Sequence, residues 1–220
     1  MFHDRFEAGL LLAEALGCCA SDACLLAIPR GGIEVGHAMS LRLKRPLDVI
    51  IPRKIVSPEN PELAVGAMTL DGSIEMNHEL VATLGLTESD IEEWVRPVRA
   101  EIGRRLRLYR GDQPSPRLEG REVILIDDGL ATGYTMMVAI KSVSREHPRR
   151  LVVAVPVSPA STCEHLRSMV DEVVVLHQAH ESCFAVSAFY TNFRDLPDEE
   201  LVKILHDRTL SAHKSAQSKS

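Results

Sequence analysis

The sequence lacks the long hydrophobic segments that membrane insertion and secretion require. None of its apolar runs reaches the roughly 20 residues that a bilayer-spanning helix needs. The first four residues, Met1-Phe2-His3-Asp4, show no basic region followed by an apolar stretch, so we expect no signal peptide. These two absences favour a cytoplasmic protein that has no membrane partner.

Paired cysteines and aromatic side chains are also scarce. The five cysteines are odd in number and show no CxxC spacing, and no Cys/His set has zinc-ligand spacing, so we expect reduced thiols. Aromatic residues make up only 4% of the 220 residues, so aliphatic side chains must fill the interior. The chain is long enough for one core, or for a core with a small cap.

Several common catalytic motifs are missing. The sequence contains no GxxxxGK[ST], GxSxG, GxGxxG or HExxH, which argues against P-loop hydrolases, common serine hydrolases, dinucleotide-binding enzymes and zincins. The formal charge of −6 and the pI of about 5.9 argue against a general nucleic-acid binder.

The most informative segment runs from Val123 to Thr135. An apolar run typical of a buried parallel strand ends in the acidic couplet Asp127-Asp128, and a loop of small residues leads into a helix. Ligands bind at such strand ends, where backbone N–H groups at a helix start attract anions. Because carboxylates repel anions, the couplet suits sugar hydroxyls or a divalent metal. The competing interpretation is an ordinary strand–turn–helix capped by aspartate, for which a single Asp before a Gly would suffice.

The remaining pattern predicts an α/β fold with a mainly parallel sheet flanked by helices. Short strands at Cys24–Ile28 and Leu47–Ile51 enclose a helix at Ile33–Leu43, which is βαβ spacing. Residues 52–61 hold three prolines and suit an exposed loop, and Asp71-Gly72 predicts a hairpin turn.

A long amphipathic helix is predicted from Thr87 to about Tyr109, with Pro97 expected to kink or split it. Its later turns are rich in arginine, but alternation with glutamate makes a solvated face the default interpretation. An oligomer contact or an RNA-binding strip is the less favoured alternative.

The segment from Val123 to Thr135 resembles the signature of the type I phosphoribosyltransferases. In that family the paired acids hold the ribose hydroxyls of phosphoribosyl pyrophosphate, which implies catalytic roles for Asp127 and Asp128. The resemblance implies that the 5-phosphate lies on the loop that follows, formed by Gly129, Leu130, Ala131, Thr132, Gly133 and Thr135.

The resemblance also implies three pyrophosphate-binding regions. Arg30 and Gly31 match a loop after the first strand, although a tight turn with a solvated arginine is an alternative. Arg53 and Lys54 follow the second strand, where the family has a mobile basic loop, although an exposed basic pair is a serious rival. Arg194 lies in Phe-Arg-Asp-Leu, a tetrapeptide similar to one in hypoxanthine–guanine phosphoribosyltransferases.

The last of these likenesses is incomplete. Those enzymes carry an acidic metal ligand a few residues before the tetrapeptide, but the aligned residue here is Ala188, so that contact is not carried over. An internal salt bridge would explain Arg194 nearly as well. The sequence looks most like a bacterial phosphoribosyltransferase group whose acceptor is undefined.

The resemblance therefore implies transfer of a phosphoribosyl group to a nitrogenous base with release of pyrophosphate. Mg²⁺ is the implied cofactor, held near Asp127 and Asp128 through water or ribose hydroxyls. A non-catalytic sensor of phosphoribosyl pyrophosphate or a nucleotide is the main alternative, and a hydrolase or phosphorylase is a third.

We expect an α/β core over residues 1–176, a C-terminal hood over 177–210 and a disordered tail over 211–220. Dimers are common in similar proteins, but the sequence leaves the oligomeric state open, and it does not identify the base.

Overall fold

The computed structural model describes residues 1–58, 60, 63–180 and 184–206, and they form an α/β structure with two sheets. Its strands are β1 (Cys24–Ala27), β2 (Leu47–Val49), β3 (Arg53–Val56), β4 (Ala64–Met68), β5 (Ile74–Met76), β6 (Glu122–Ile126), β7 (Arg150–Pro159) and β8 (Glu172–Ala179). Its helices are α1 (Arg5–Leu16), α2 (Gly31–Leu43), α3 (His78–Thr83), α4 (Glu88–Arg110), α5 (Tyr134–Ser144) and α6 (Ala160–Arg167). A 3₁₀ turn spans Val186–Phe189, and residues 198–206 are helical.

The main sheet has five parallel strands in the order β2-β1-β6-β7-β8. The central strand β6 and its neighbour β1 are buried along their whole length, because helices cover both faces. Successive side chains alternate between two hydrophobic clusters, as strand geometry requires. Ile124 packs in the cluster that includes α1 and α2, and Leu125 packs in the one that includes α5 and α6. The expected fold class is confirmed.

A second sheet forms the antiparallel order β3-β4-β5. The predicted turn at Asp71-Gly72 connects β4 to β5, with Gly72 at a φ of +87°. The expectation that residues 52–61 are loop throughout was wrong, because Arg53 and Lys54 lie on β3, opposite Met68 and Ala67. The residues of this short strand alternate only weakly between apolar and polar, so the sequence alone does not reveal the strand. Its backbone pairing with β4 determines its extended conformation.

Helix α4 begins as the sequence predicts, with a capping box between Thr87 and Asp90. It continues without interruption through Pro97, so the expected split does not occur. Ile102 and Tyr109 are buried in the core, which anchors the later turns of the helix. Among the described residues, no helix is both long and apolar enough to span a membrane.

The C-terminal segment crosses the carboxyl edge of the main sheet and then returns to the core. Tyr190 pairs with Phe2 of the N-terminal segment. Leu196, Leu201 and Leu205 are buried in the same cluster as α1 and α2. The predicted domain boundaries at residues 176 and 210 stay predictions, and the predicted tail at 211–220 lies outside the described residues.

Candidate active site

The acidic couplet lies directly after β6, at the carboxyl edge of the parallel sheet. Asp127 and Asp128 are both half-buried, and the Asp128 N–H donates to Oδ1 of Asp127 at 2.9 Å. Burial raises the pKa of Asp127 well above its usual range, and the neighbouring Asp128 carboxylate raises it further. The two neighbouring carboxyls therefore resist full ionisation at the point where the chain leaves the sheet.

Asp128 is held by two side chains from the ends of the chain. Arg5 donates from Nε to Oδ2 of Asp128 at 2.7 Å, and the Tyr190 hydroxyl donates to the Asp128 carbonyl at 2.6 Å. Burial and the charge of Asp128 raise the pKa of Tyr190, so its hydroxyl stays protonated and acts as a donor. Sequence reasoning missed Arg5 and Tyr190, because neither lies in a recognisable motif.

The Pro-Arg-Gly-Gly loop packs against the couplet. A Cβ on Gly31 would lie 1.8 Å from Oδ2 of Asp128, and a Cβ on Gly32 would lie 3.0 Å from the Asp127 Cα. Only residues without a side chain fit at such distances. The sequence-predicted loop and the sequence-predicted couplet thus form one site.

Arg30, the basic member of that loop, points toward the C-terminal segment. Its guanidinium donates to the Leu196 carbonyl at 3.2 Å and approaches the Asp195 carboxylate at 3.5 Å. Nearly half of the Arg30 side chain is exposed, so these contacts leave it accessible to a ligand.

The small-residue loop after the couplet is open to solvent at its tip, whereas Gly133 is buried. Ala131 and Thr132 are exposed, while Leu130 is buried and its N–H donates to the Val157 carbonyl. Gly133 has a φ of +77° and forms the N-cap of α5. The backbone N–H groups of residues 131–135 donate no hydrogen bond to any residue that the structure describes. Free N–H groups at the start of a helix form an anion-binding site.

A cavity of about 310 Å³ lies between the first turn of α5 and the second sheet. Its charged lining consists of Arg53 and Lys54 from β3 and Arg105 from α4, and it also touches Pro29 and Thr135. The cavity has no carboxylate in its lining among the described residues. Burial lowers the pKa of Arg53, and the charge of Arg105 lowers it further, as expected where like charges gather.

Arg105 is a site residue that the sequence did not single out. The solvated-face interpretation fits Arg104, which is exposed, but Arg105 is half-buried and lines the cavity. Both guanidiniums bond the Glu101 carboxylate, at 2.7 and 2.8 Å. The sequence alone does not show which of the two arginines faces the cavity, because they are adjacent in one arginine-rich segment.

Arg194 is engaged elsewhere. Its guanidinium forms a two-point ion pair with the Glu200 carboxylate, at 2.8 and 2.5 Å. This is the internal salt bridge that the sequence offered as the alternative. Its carbonyl accepts a hydrogen bond from Arg5 at 2.8 Å, so the tetrapeptide still borders the couplet. A pyrophosphate role for Arg194 stays a prediction.

Comparison with known proteins identifies the family. The family model described as "Phosphoribosyl transferase domain" matches residues 20–187, about three quarters of the chain. The chain belongs to the phosphoribosyl transferase family.

Two curated relatives agree with the assignment to the phosphoribosyl transferase family. Proteins from two Mycobacterium tuberculosis strains, CDC 1551 and H37Rv, each provisionally named a phosphoribosyl transferase, are 34% identical over 206 residues, or 93% of this chain. The chain spans 46% of the length of these curated relatives.

A solved structure is similar along nearly its whole length. The crystal structure of TT1426 from Thermus thermophilus is 37% identical in sequence and has a TM-score of 0.78. The match covers 94% of this chain and 98% of that chain. The fold is therefore shared with a protein of similar size.

Proposed function

We propose that the protein binds phosphoribosyl pyrophosphate and transfers its phosphoribosyl group to a nitrogenous base. A nitrogen of the base attacks C1 of the ribose, the bond from C1 to the pyrophosphate oxygen breaks, and pyrophosphate leaves with the electron pair of that bond. The attacking nitrogen loses its proton to solvent. The observation that carries this proposal is the row of N–H groups at residues 131–135, which donate to no residue that the structure describes and follow the acidic couplet after two residues. A sugar phosphate satisfies both features, with its phosphate on the N–H groups and its hydroxyls on the carboxylates.

The couplet has a second role in this proposal. Departure of pyrophosphate leaves positive charge on the ribose ring, by analogy with glycosyl transfer. In this proposal the carboxylates of Asp127 and Asp128 stabilise that charge while accepting hydrogen bonds from the 2- and 3-hydroxyls. The residues that bind the substrate are then also those that favour its reaction.

The cation-lined cavity suits the diphosphate. Arg53, Lys54 and Arg105 gather three positive charges. The cavity also borders Pro29 of the Pro-Arg-Gly-Gly loop and Thr135 in the first turn of α5. A diphosphate needs several cationic donors, because charge-assisted hydrogen bonds to its oxygens stabilise the leaving group. We assign the cavity to pyrophosphate. Arg30, Gly31 and Arg194, which do not line it, keep the pyrophosphate role that the resemblance implies.

Magnesium fits this site only together with the substrate. No group of three or more His, Cys, Asp or Glu side chains that could hold a metal occurs in the described residues. The couplet supplies two carboxylates, and Mg²⁺ commonly binds one or two carboxylates together with substrate phosphates and water. When bound, the ion would neutralise charge on the departing diphosphate.

A turnover assay with a panel of purines and pyrimidines tests the proposal. Pyrophosphate release is measured with phosphoribosyl pyrophosphate, Mg²⁺ and each base in turn. We expect release that depends on one class of base and disappears in the Asp127→Asn, Asp128→Asn double variant. Tight binding without release under any base would favour the sensor alternative, and solvent oxygen in a ribose 5-phosphate product would indicate a hydrolase.

Other parts of the sequence-based account stay predictions. A homodimer is possible because dimers are common in similar proteins, and the cysteine pattern and the missing signal segment favour a cytoplasmic location.

A further inference from the structure

Arg5 is a buried arginine close to the N-terminus whose side chain lies inside the candidate active site. It occupies the first position of α1, after the N-cap Asp4, and its side chain is only 8% exposed. A surface arginine in the first turn of a helix is ordinarily solvated, and the helix dipole disfavours a cation there. Its burial beside Asp128 therefore calls for another explanation.

Arg5 lies beside three of the four segments that the sequence identified as parts of the site; the fourth, Arg53-Lys54, is not among its contacts in the described part of the chain. Its Nε donates to Oδ2 of Asp128 at 2.7 Å, and it would lie 2.8 Å from a Cβ on Gly31. Its Nη1 donates to the Arg194 carbonyl at 2.8 Å, and its guanidinium carbon stacks 3.8 Å from the centre of the Phe193 ring. One planar group thus joins the couplet, the glycine loop and the C-terminal tetrapeptide.

The surrounding backbone fixes this placement. The Phe2 N–H donates to the Phe189 carbonyl, the Thr191 N–H to the Phe2 carbonyl and the Asn192 N–H to the His3 carbonyl, each at 2.8 Å. The N-terminal residues are therefore paired with the C-terminal segment along the edge of the site. This pairing brings α1 and Arg5 to the end of β6.

We propose that Arg5 is a positioning residue for phosphoribosyl binding, which holds Oδ2 of Asp128 and leaves Oδ1 to accept a ribose hydroxyl. The inference rests on the proposed function, because it assigns a role within the same site. Arg5 acts through Asp128 and does not itself contact the substrate. The planar guanidinium can bond the carboxylate, bond a carbonyl and stack on a ring at once, whereas a lysine ammonium cannot.

A double-mutant cycle between Arg5 and Asp128 tests this role. Ribose 5-phosphate and inorganic pyrophosphate are titrated calorimetrically into the full chain and into Arg5→Met, Asp128→Asn and the double variant. We expect Arg5→Met to weaken ribose 5-phosphate binding about tenfold or more. The Arg5→Met, Asp128→Asn double variant should lose no more affinity for ribose 5-phosphate than Asp128→Asn alone. Pyrophosphate affinity should change by less than about twofold.

Two further variants guard against a merely structural effect. Arg42→Met removes an exposed arginine of α2 whose Nε lies 3.9 Å from Oε1 of Glu14 and which makes no contact with the couplet among the described residues. This variant should leave both affinities unchanged. Arg5→Lys keeps the charge and serves if Arg5→Met does not fold. It should bind ribose 5-phosphate several-fold more weakly than the natural protein but bind pyrophosphate equally well.

The outcomes separate the inference from the proposed function. Arg5 variants that bind ribose 5-phosphate as well as or better than the natural protein would overturn the positioning role, and stronger binding would mean that Arg5 blocks Asp128. Additive losses in the double variant would also overturn it. If the natural protein binds neither phosphoribosyl pyrophosphate nor ribose 5-phosphate, the proposed function itself fails.

Discussion

Replacing Gly31 with alanine should disrupt the site through a single methyl group. The added Cβ would lie 1.8 Å from Oδ2 of Asp128, 2.3 Å from its Cγ and 2.8 Å from Nε of Arg5. Ordinary contact begins at 3.4 Å, so the carboxylate would have to retreat by about 1.6 Å. Arg5 holds that carboxylate and is itself buried, so neither partner can move without breaking their ion pair.

The expected magnitude follows from this geometry. Overpacking of this kind costs about 1–3 kcal/mol of stability. Misplacing a binding group by about 1 Å can cost up to a hundredfold in function. We therefore expect Gly31→Ala to lower the free energy of unfolding by about 1–3 kcal/mol and to weaken ribose 5-phosphate binding about tenfold or more.

Urea unfolding and calorimetry measure the two effects, and Gly103→Ala provides the matched control. The nearest atoms to a Cβ on Gly103 lie 3.8 and 3.9 Å away, within ordinary contact, and the residue is inside α4. Its replacement should stabilise the protein by about 0.5–1 kcal/mol and leave binding unchanged. A Gly31→Ala variant with natural stability and affinity would refute the close packing of the glycine loop on the couplet.

Three other substitutions examine separate parts of the account. Arg105→Gln should weaken pyrophosphate binding, measured by calorimetry, about tenfold. Arg104→Gln removes the other partner of Glu101, which lies outside the cavity, and should leave pyrophosphate binding unchanged. Equal losses in the two variants would exclude the cavity assignment. Because the pKa of Asp127 is raised in the folded protein, the natural protein loses stability as pH rises from about 4 through that pKa. The melting temperature of Asp127→Asn should therefore exceed the natural one at pH 8, with a gap that closes toward pH 4, and a pH-independent gap would contradict this. Leu201→Ala should lower the free energy of unfolding by about 2–5 kcal/mol in urea, since Leu201 is fully buried, and a negligible loss would mean that the last helix does not contribute to the core.

The sequence predicted the parts of the site that local chemistry specifies. The prediction that Val123 to Ile126 form a strand buried on both faces is confirmed, whereas the ligand-binding role of the small residues after Asp128 stays a prediction. Both features follow from residue types within a dozen positions. The glycine loop was also predictable, because two adjacent glycines mark close backbone approach, and the structure supplies the carboxylates that they approach.

Residues that depend on long-range packing could not be predicted. Arg5 lies 123 positions before Asp128 in the chain, and only the pairing of the two chain ends brings them together. Arg105 differs from Arg104 by one step around a helix, and only the position of β3 decides which of them lines a cavity. Strand β3 itself is short, and its partner β4 determines its conformation.

The central claim is that a phosphoribosyl group binds where the couplet meets the small-residue loop. Its most direct test is calorimetric titration of phosphoribosyl pyrophosphate, with Mg²⁺, into the natural protein and the Asp127→Asn, Asp128→Asn double variant. We predict saturable binding at one site in the natural protein and no measurable binding in the double variant, with circular dichroism showing an intact fold. Equal affinity in the two proteins would contradict the assignment of this site.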